Sequence, residues 1–300
     1  MTLSEIFSSS FLLDVIIKAL VVGILVSVCS SVLGVCLVLK RHSMIGDGLS
    51  HVGYFAVAVG ACAGVGGTFS MEIAIPIVIA AAVLIFRLAK REGKLNGDSA
   101  CAIVSTGAVA IGTLLYNLTG GRSGDICSSL FGSSSIVTIS TKDVILSIAL
   151  SAVVILWFAL SYKTIFAVTF DDNFSRAAGV KTEVFGLLLA VLTGLTIVVG
   201  MKMMGSIMIS AILIFPPLTA MRLTKSFKVT VILSAVISAV CFIIGFFLAT
   251  ALSLQTGAAV VTVELIFFAI TATIAYAVSK SRIRSRGKSA ANGNIAEQEI

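Results

Sequence analysis

The sequence is poor in charge: only 12% of its 300 residues are Asp, Glu, Lys or Arg, whereas 58% are hydrophobic. A typical soluble domain carries about 25% charged residues, so this composition excludes an ordinary soluble protein. The chain also lacks a GxxxxGK[ST] phosphate-binding loop, a GxSxG nucleophile elbow and an HExxH zinc motif. Its two histidines and six cysteines show no zinc-finger or CxxC spacing. These absences argue against a hydrolase and against an ATPase that binds its own nucleotide.

Long apolar runs dominate what is present. A transmembrane helix needs about 20 predominantly apolar residues, and a membrane β-barrel would instead show ~10-residue stretches of alternating polarity. The runs here do not alternate, so we predict an all-α polytopic membrane protein with about nine transmembrane helices (eight to ten). The nine apolar segments cover residues 11–39, 49–65, 73–88, 99–118, 144–161, 184–199, 207–221, 229–250 and 258–279.

The basic residues are distributed unevenly between the connections. Cytoplasmic loops of membrane proteins are enriched in Lys and Arg, which predicts an outer N-terminus and a cytoplasmic C-terminus. The net charge of +7 then reflects topology and contact with anionic lipid, and no nucleic acid is expected as a partner. We predict one transmembrane domain over residues 1–280 and a polar, disordered cytoplasmic tail over 281–300. Seventeen of the 21 basic residues fall in alternate connections and in the tail: Lys40, Arg41, Arg87, Lys90, Arg91, Lys94, Lys163, Arg176, Lys181, Arg222, Lys225, Lys228, Lys280, Arg282, Arg284, Arg286 and Lys288.

One acid and one histidine are four residues apart in this otherwise apolar protein, in the sequence Asp47-Gly48-Leu49-Ser50-His51. On a helix, residues i and i+4 share a face, so both side chains could ligate one divalent cation. Ionisable groups at membrane depth are costly, which favours a functional role. A hydrogen bond between the two side chains that faces water explains the spacing equally well, and spacing alone does not decide between them.

A second polar segment, residues 170–181, falls in a predicted cytoplasmic connection. Asp172 is suited to cap a short helix, Arg176 lies in its last turn, and Gly179 ends it. Such a helix could dock a motor subunit, or it could simply connect two spans.

Five stretches, in order, resemble one family. Residues 46–51 (GDGLSH) are similar to the GDALSH signature of the metal-ion ABC transporter permeases, which import zinc, manganese and iron. Residues 97–103 resemble the DSAIGI segment of that family, residues 129–133 its LFGS stretch, and residues 171–180 its coupling helix, ARAAGV. Residues 204–220 resemble its VGxLLVSALLVIPAATA helix. The matches span nearly the whole predicted membrane domain.

The resemblance implies a permease of the vitamin-B12-importer type in a bacterial inner membrane. It implies a homodimer, a cytoplasmic ABC ATPase dimer that hydrolyses ATP, and an extracellular or periplasmic metal-binding lipoprotein. The chain itself would be a transporter subunit and not an enzyme, with no permanently bound cofactor. Its cargo would be a divalent metal ion, with zinc expected first, then manganese or iron. By motif match, the metal path contains Asp47 and His51, and the coupling helix contains Asp171, Asp172, Arg176, Ala177, Gly179 and Lys181.

Two further features bear on the path. The family usually continues SHAVLPG, with a Pro-Gly pair that breaks the helix, whereas Phe55 and Ala56 stand at those positions here and Gly53 supplies some flexibility. Pro216 and Pro217 are expected to kink or end their helix and are a candidate gate, because broken helices line transporter cavities.

Other interpretations remain open at this level. A secondary transporter driven by an ion gradient would need buried carboxylates, for which Asp47 and Glu264 are the candidates. A membrane enzyme that used Asp47 and His51 as acid and base would lack a nucleophile. The methionines at 201, 203, 204 and 208 could bind a soft metal ion, but packing explains them as well.

Overall fold

The computed structural model describes residues 10–40, 42, 44–63, 71–90, 97–118, 141–252 and 254–298. All regular structure in these ranges is helical, which confirms the predicted fold class. In chain order the helices are α1 (Ser10–Leu39), α2 (Met44–Cys62), α3 (Met71–Lys90), α4 (Gly97–Leu118), α5 (Thr141–Leu160), α6 (Tyr162–Phe170), α7 (Asp172–Ala177), α8 (Thr182–Met204), α9 (Ser206–Leu223), α10 (Phe227–Leu252) and α11 (Thr256–Gln298).

Each of the nine apolar segments corresponds to one of the long helices. Within the described ranges, seven helices (α1, α4, α5, α8, α9, α10 and α11) are long and apolar enough to cross a membrane. The remaining two, α2 and α3, pack against each other and against α4 and α8. The sequence analysis did not predict α6, a nine-residue helix whose Ile165 and Val168 lie buried one turn apart.

Helix α1 is the centre of the bundle, and α5, α8, α9 and α10 pack around it. Between α1 and α10, small polar side chains replace bulky ones. The hydroxyl groups of Ser31 and Ser234 are 2.5 Å apart, and Ser238 donates a hydrogen bond to the backbone carbonyl of Ser27 over 3.0 Å. Small residues allow helix backbones to approach closely. Such packing matters in a membrane because the hydrophobic effect does not drive helices together there.

The helix break in the second half of the chain lies at Gly205 and not at the prolines. Only Gly205, with φ +85° and ψ 160°, separates α8 from α9, and this backbone conformation is essentially restricted to glycine. Helix α9 continues through Pro216 and Pro217, both buried. Of the two expected effects, a kink or an end of the helix, the end is therefore wrong, and the kink stays a prediction. Pro217 frees the carbonyl of Leu213 from its helical hydrogen bond, and α1 approaches this carbonyl at Gly34, where no Cβ is in the way.

Helix α11 extends beyond the membrane span. Its backbone is helical to Gln298 and so includes most of the polar tail, whose disorder stays a prediction. Adding residues to an existing helix costs much less than nucleating a new one. Several tail residues, among them Ala, Arg, Lys, Glu and Gln, are also good helix formers.

Candidate functional site

Three glycines allow α2 to pack closely against its neighbours. A Cβ at Gly46 would lie 2.9 Å from the Leu213 side chain of α9, and one at Gly53 would lie 2.7 Å from Sδ of Met201 on α8. At Gly48 it would meet the Cys101 carbonyl of α4 at 3.4 Å. At Gly46 and Gly53 a Cβ would have to displace the end of a flexible side chain, whereas at Gly48 it would make ordinary van der Waals contact. These close approaches mark the buried face of α2.

Asp47 and His51 lie on a part of α2 that these contacts leave accessible. Nε2 of His51 is 3.5 Å from Oδ1 of Asp47, and the two side chains are 24% and 44% exposed, respectively. Nδ1 of His51 is buried and has no hydrogen-bond partner among the described residues. The hydroxyl of Ser50 donates to the Asp47 carbonyl over 2.8 Å. The structure therefore brings together the two residues that the sequence selected.

Tyr54 adds a polar group that the sequence analysis missed. It follows His51 by three residues and Asp47 by seven, so helical spacing alone could have selected it. Its ring packs over Gly112 of α4, and its buried hydroxyl has no hydrogen-bond partner within the described part of the chain. Asp47, His51 and Tyr54 form a polar stripe along α2.

The separation within the pair suits joint binding of a metal ion. Ligand atoms about 2.1 Å from a metal ion are about 3.0–3.4 Å apart at octahedral to tetrahedral angles, close to the 3.5 Å found here. Among the residues described, no group of three or more His, Cys, Asp or Glu side chains could hold a metal ion. One chain therefore supplies two ligands here, and water or a second chain would have to supply the others.

The departure from the family motif has a structural consequence. Helix α2 runs without interruption through Phe55 and Ala56 to Cys62, so no helix break follows the Asp47–His51 pair. The backbone of Phe55 instead packs against Gly112 of α4, where a Cβ would lie 3.1 Å from the Cα of Phe55.

The predicted coupling segment folds as a short capped helix, α7. Its N-cap is Asp171, whose Oδ1 accepts the Phe174 backbone N–H over 2.9 Å, so the expectation that Asp172 caps it is wrong. Gly179, with φ +84°, ends the helix as predicted. The N–H groups of Gly179 and Val180 donate to the carbonyls of Arg176 and Ser175, the paired bonds of a Schellman motif.

Arg176 links α7 to the start of α8 although about half of its side chain, 47%, is exposed. It forms an ion pair with Asp172 at 3.0 Å, and its Nε donates to Oγ1 of the buried Thr182 over 3.0 Å. Thr182, the first residue of α8, carries no sequence signal that points to this contact. Ala177 and Lys181 are exposed.

The outward side of α7 carries an exposed aromatic ring. Phe174 is 69% exposed, and its ring takes part in no aromatic contact with the described residues. Nearby, the rings of Phe166, Phe170 and Phe227 pack on one another at centroid distances of 4.8–6.1 Å. The sequence analysis did not select Phe174, because an aromatic residue in a polar connector carries no signal of its orientation.

A titratable group lies in the tight turn between α1 and α2. Burial holds the pKa of the His42 imidazole below its usual range, Lys40 lowers it further, and Asp98 at the start of α4 opposes both. Nδ1 of His42 is buried without a hydrogen-bond partner in the described ranges. A cavity of about 390 Å³ beside it reaches Asp172 and Arg176 on α7.

Comparison with known proteins identifies the family. The model of the ABC 3 transport family matches residues 12–275, almost the whole membrane domain. The chain belongs to this family. The permease is therefore a membrane-spanning transport subunit, as the motif resemblance implied.

Relatives of similar length support this assignment. The permease is 29% identical over 270 residues to a probable iron transport system membrane protein of Haemophilus influenzae, covering 89% of this chain and 94% of that protein. It is 27% identical to the manganese import system permease protein ScaB of Streptococcus gordonii, covering 86% and 90% of the two chains. The solved structure of PsaBC from Streptococcus pneumoniae in complex with a Fab matches with a TM-score of 0.74 and 26% identity, covering 89% and 93%.

The remaining candidates are placed as follows. Met201, Met204 and Met208 are buried. Glu264 is 2% exposed, and neither carboxylate oxygen has a hydrogen-bond partner among the described residues. Asp14 and Lys18, four residues apart on α1, form an ion pair at 2.6 Å. The LFGS-like stretch, 129–133, lies outside the described residues.

Proposed function

We propose that the permease imports a divalent transition metal ion, Mn²⁺ or Fe²⁺, through a path in which Asp47 and His51 are transient ligands. The proposal rests on one observation: Asp47 and His51 are accessible on the largely buried helix α2, and Oδ1 of Asp47 is 3.5 Å from Nε2 of His51. Sequence alone placed zinc first. The two relatives described above are named for iron and manganese, which favours those metals.

The ligand chemistry suits this cargo. One carboxylate and one imidazole form a borderline-hard donor set, which fits Mn²⁺ or Fe²⁺ better than Cu(I). A path site has to release its ion, so two protein ligands from each copy of a homodimer, together with water, are sufficient. The metal is delivered by an extracellular or periplasmic binding lipoprotein, and the C-terminus lies in the cytoplasm of a bacterial cell.

Energy comes from a separate cytoplasmic ATPase dimer that docks on α7. The exposed ring of Phe174 is the anchor, because buried aromatic side chains contribute most at protein interfaces. Asp171 and Gly179 hold the helix that presents this ring, while Asp172 and Arg176 connect it to α8. Pro216 and Pro217 remain a candidate gate in α9.

Uptake of ⁵⁴Mn by cells that express the permease with its partner subunits tests the proposal. We expect Asp47→Asn and His51→Gln to abolish uptake, since each removes one ligand while keeping the size of the side chain. Asp14→Asn is the matched control, because Asp14 forms a similar i,i+4 pair with Lys18 on α1. Uptake at the wild-type rate by both path variants would refute the role of the pair.

Energy coupling separates this proposal from a secondary transporter that uses an ion gradient. We expect ATP depletion to stop uptake and an ionophore that collapses ion gradients to leave it intact. The reverse result would support the gradient-driven alternative. The buried and unpaired Glu264 would then be the first residue to test.

A further inference from the structure

An apolar groove runs along the outside of the bundle between α1, α5 and α10. Its volume is about 400 Å³, and every residue that lines it is Val, Ile, Phe or Ala. Val32 of α1, Phe158 of α5 and Ala235 of α10 form its floor and sides. Ligand pockets commonly measure about 300–1,000 Å³, so the groove can hold a substantial apolar chain.

Two lysines flank one end of this groove. The rings of Tyr162 and Phe227 are 5.6 Å apart, which places the start of α6 beside the start of α10. Lys163 directly follows Tyr162, and Lys228 directly follows Phe227. Both lysines are exposed, and neither forms an ion pair with a residue in the described ranges. Two uncompensated ammonium groups therefore stand where an apolar groove meets the membrane surface.

The helix contacts favour a groove that faces lipid over one that faces a second copy of the chain. Helix α2 packs against α3, α4, α8 and α9, whereas α1, α5 and α10 form the groove on the other side of α8 and α9. If the Asp47–His51 pairs of two copies meet near the dimer axis, as the proposed function requires, the groove points away from that axis. A two-fold axis through the groove would also bring like-charged lysines of both copies together.

We propose that the groove binds an anionic phospholipid, with one acyl chain along α1, α5 and α10 and the phosphate between Lys163 and Lys228. The basic residues predict that this end lies at the cytoplasmic leaflet. Basic side chains at that surface attract anionic headgroups. A zwitterionic lipid would fill the groove but would gain less from the two ammonium groups.

Photolabelling of the purified full-length permease tests this site. The probe is phosphatidylglycerol with a photoreactive group in one acyl chain, and labelled peptides are located by mass spectrometry. We expect labelling on the groove faces of α1, α5 and α10, with unlabelled phosphatidylglycerol competing better than phosphatidylethanolamine. One basic residue near a membrane surface contributes about 1 kcal/mol, so Lys163→Ala with Lys228→Ala should weaken binding about 30-fold.

Matched variants separate the two parts of the site. Arg87→Ala removes an exposed positive charge on α3, away from the groove, and should leave labelling unchanged. Ala235→Phe and Ala159→Phe fill the groove and should abolish labelling, whereas Ala152→Phe, on an exposed position of α5 that does not line the groove, should not. Size-exclusion profiles check that the variants fold.

Three results would overturn the proposal. One is labelling that the groove-filling variants do not reduce, and another is equal competition by both lipids together with no effect of the lysine variants. A shift from dimer to monomer on filling the groove would assign it to an interface between copies. None of these readouts depends on metal transport, so the lipid site and the metal path fail independently.

Discussion

Replacement of Phe174 by alanine tests the docking of the ATPase most directly. About 69% of this residue is exposed, and a buried phenylalanine covers at least ~150 Å², so about 100 Å² remains for a partner to bury. At about 25 cal/mol per Å², this area contributes about 2.5 kcal/mol to binding. We therefore expect Phe174→Ala to weaken the permease–ATPase complex about 70-fold.

The variant should leave α7 folded. Asp171 caps the helix through the Phe174 backbone N–H, which alanine retains, and the Schellman bonds at Gly179 are backbone bonds. The change therefore removes the ring and not the helix that presents it.

Equilibrium binding of the detergent-purified permease to its proposed ATPase partner subunit gives the affinity. Phe267→Ala is the matched control, because Phe267 is 38% exposed on the membrane-spanning part of α11. The control should bind as the wild type does. An affinity for Phe174→Ala within threefold of the wild-type value would refute the assignment of Phe174 as the anchor.

Four further predictions follow from single contacts. Gly179→Ala should destabilise α7 by about 1–2 kcal/mol, because φ is +84° at this position. No neighbouring atom obstructs a Cβ, so the backbone conformation alone causes the loss. Reduced ATPase binding would report the loss, and unchanged binding would contradict it. Gly34→Ala should lower the thermal unfolding temperature, because the Cβ of the alanine would overlap a backbone carbonyl of α9. An unchanged unfolding temperature would show that α1 can shift freely. Thr182→Val should leave ATPase binding intact but reduce the number of metal ions taken up per ATP hydrolysed, because Arg176 loses its hydrogen bond to α8. An unchanged ratio of uptake to hydrolysis would show that this hydrogen bond does not couple the two. The pKa of His42 is lowered in the folded protein, so as the pH falls below about 6.5 the unfolded chain takes up the proton first. The free energy of unfolding should therefore fall towards pH 5.5 in the wild type, and should fall less in His42→Gln. Equal pH dependence of the two proteins would exclude His42 as the cause.

The helical framework was predictable because the membrane restricts it so strongly. A backbone without water must satisfy its hydrogen bonds internally, so each apolar run of sufficient length becomes a helix. The short helix α6 escaped prediction because it has only nine residues and its start carries the polar residues Lys163 and Thr164, where the preceding apolar segment ends. The end of the predicted coupling helix at Gly179 was predictable, since a positive φ favours glycine.

Other details depended on tertiary contacts that no local pattern encodes. Asp171 and Asp172 are equally suited to cap a helix, and only the helix start decides which of them does so. The prolines of α9 were expected to kink or end the helix, and it does not end at them. The carbonyl that Pro217 frees lies against Gly34 of α1, which is distant in sequence. The orientation of Arg176 towards Thr182 likewise required the fold.

The same contacts connect the two ends of the proposed mechanism. Arg176 joins α7, the predicted coupling helix, to the first residue of α8. Near the other end of α8, Met201 packs on Gly53 of α2, two residues beyond His51. Helix α8 is largely buried between these points, and buried helices of packed cores move as units and do not deform continuously. A displacement of α7 by the ATPase would therefore reach the helix that carries Asp47 and His51 through α8. The glycines of α2 matter here because they bring its backbone close enough for Met201 to act on it directly.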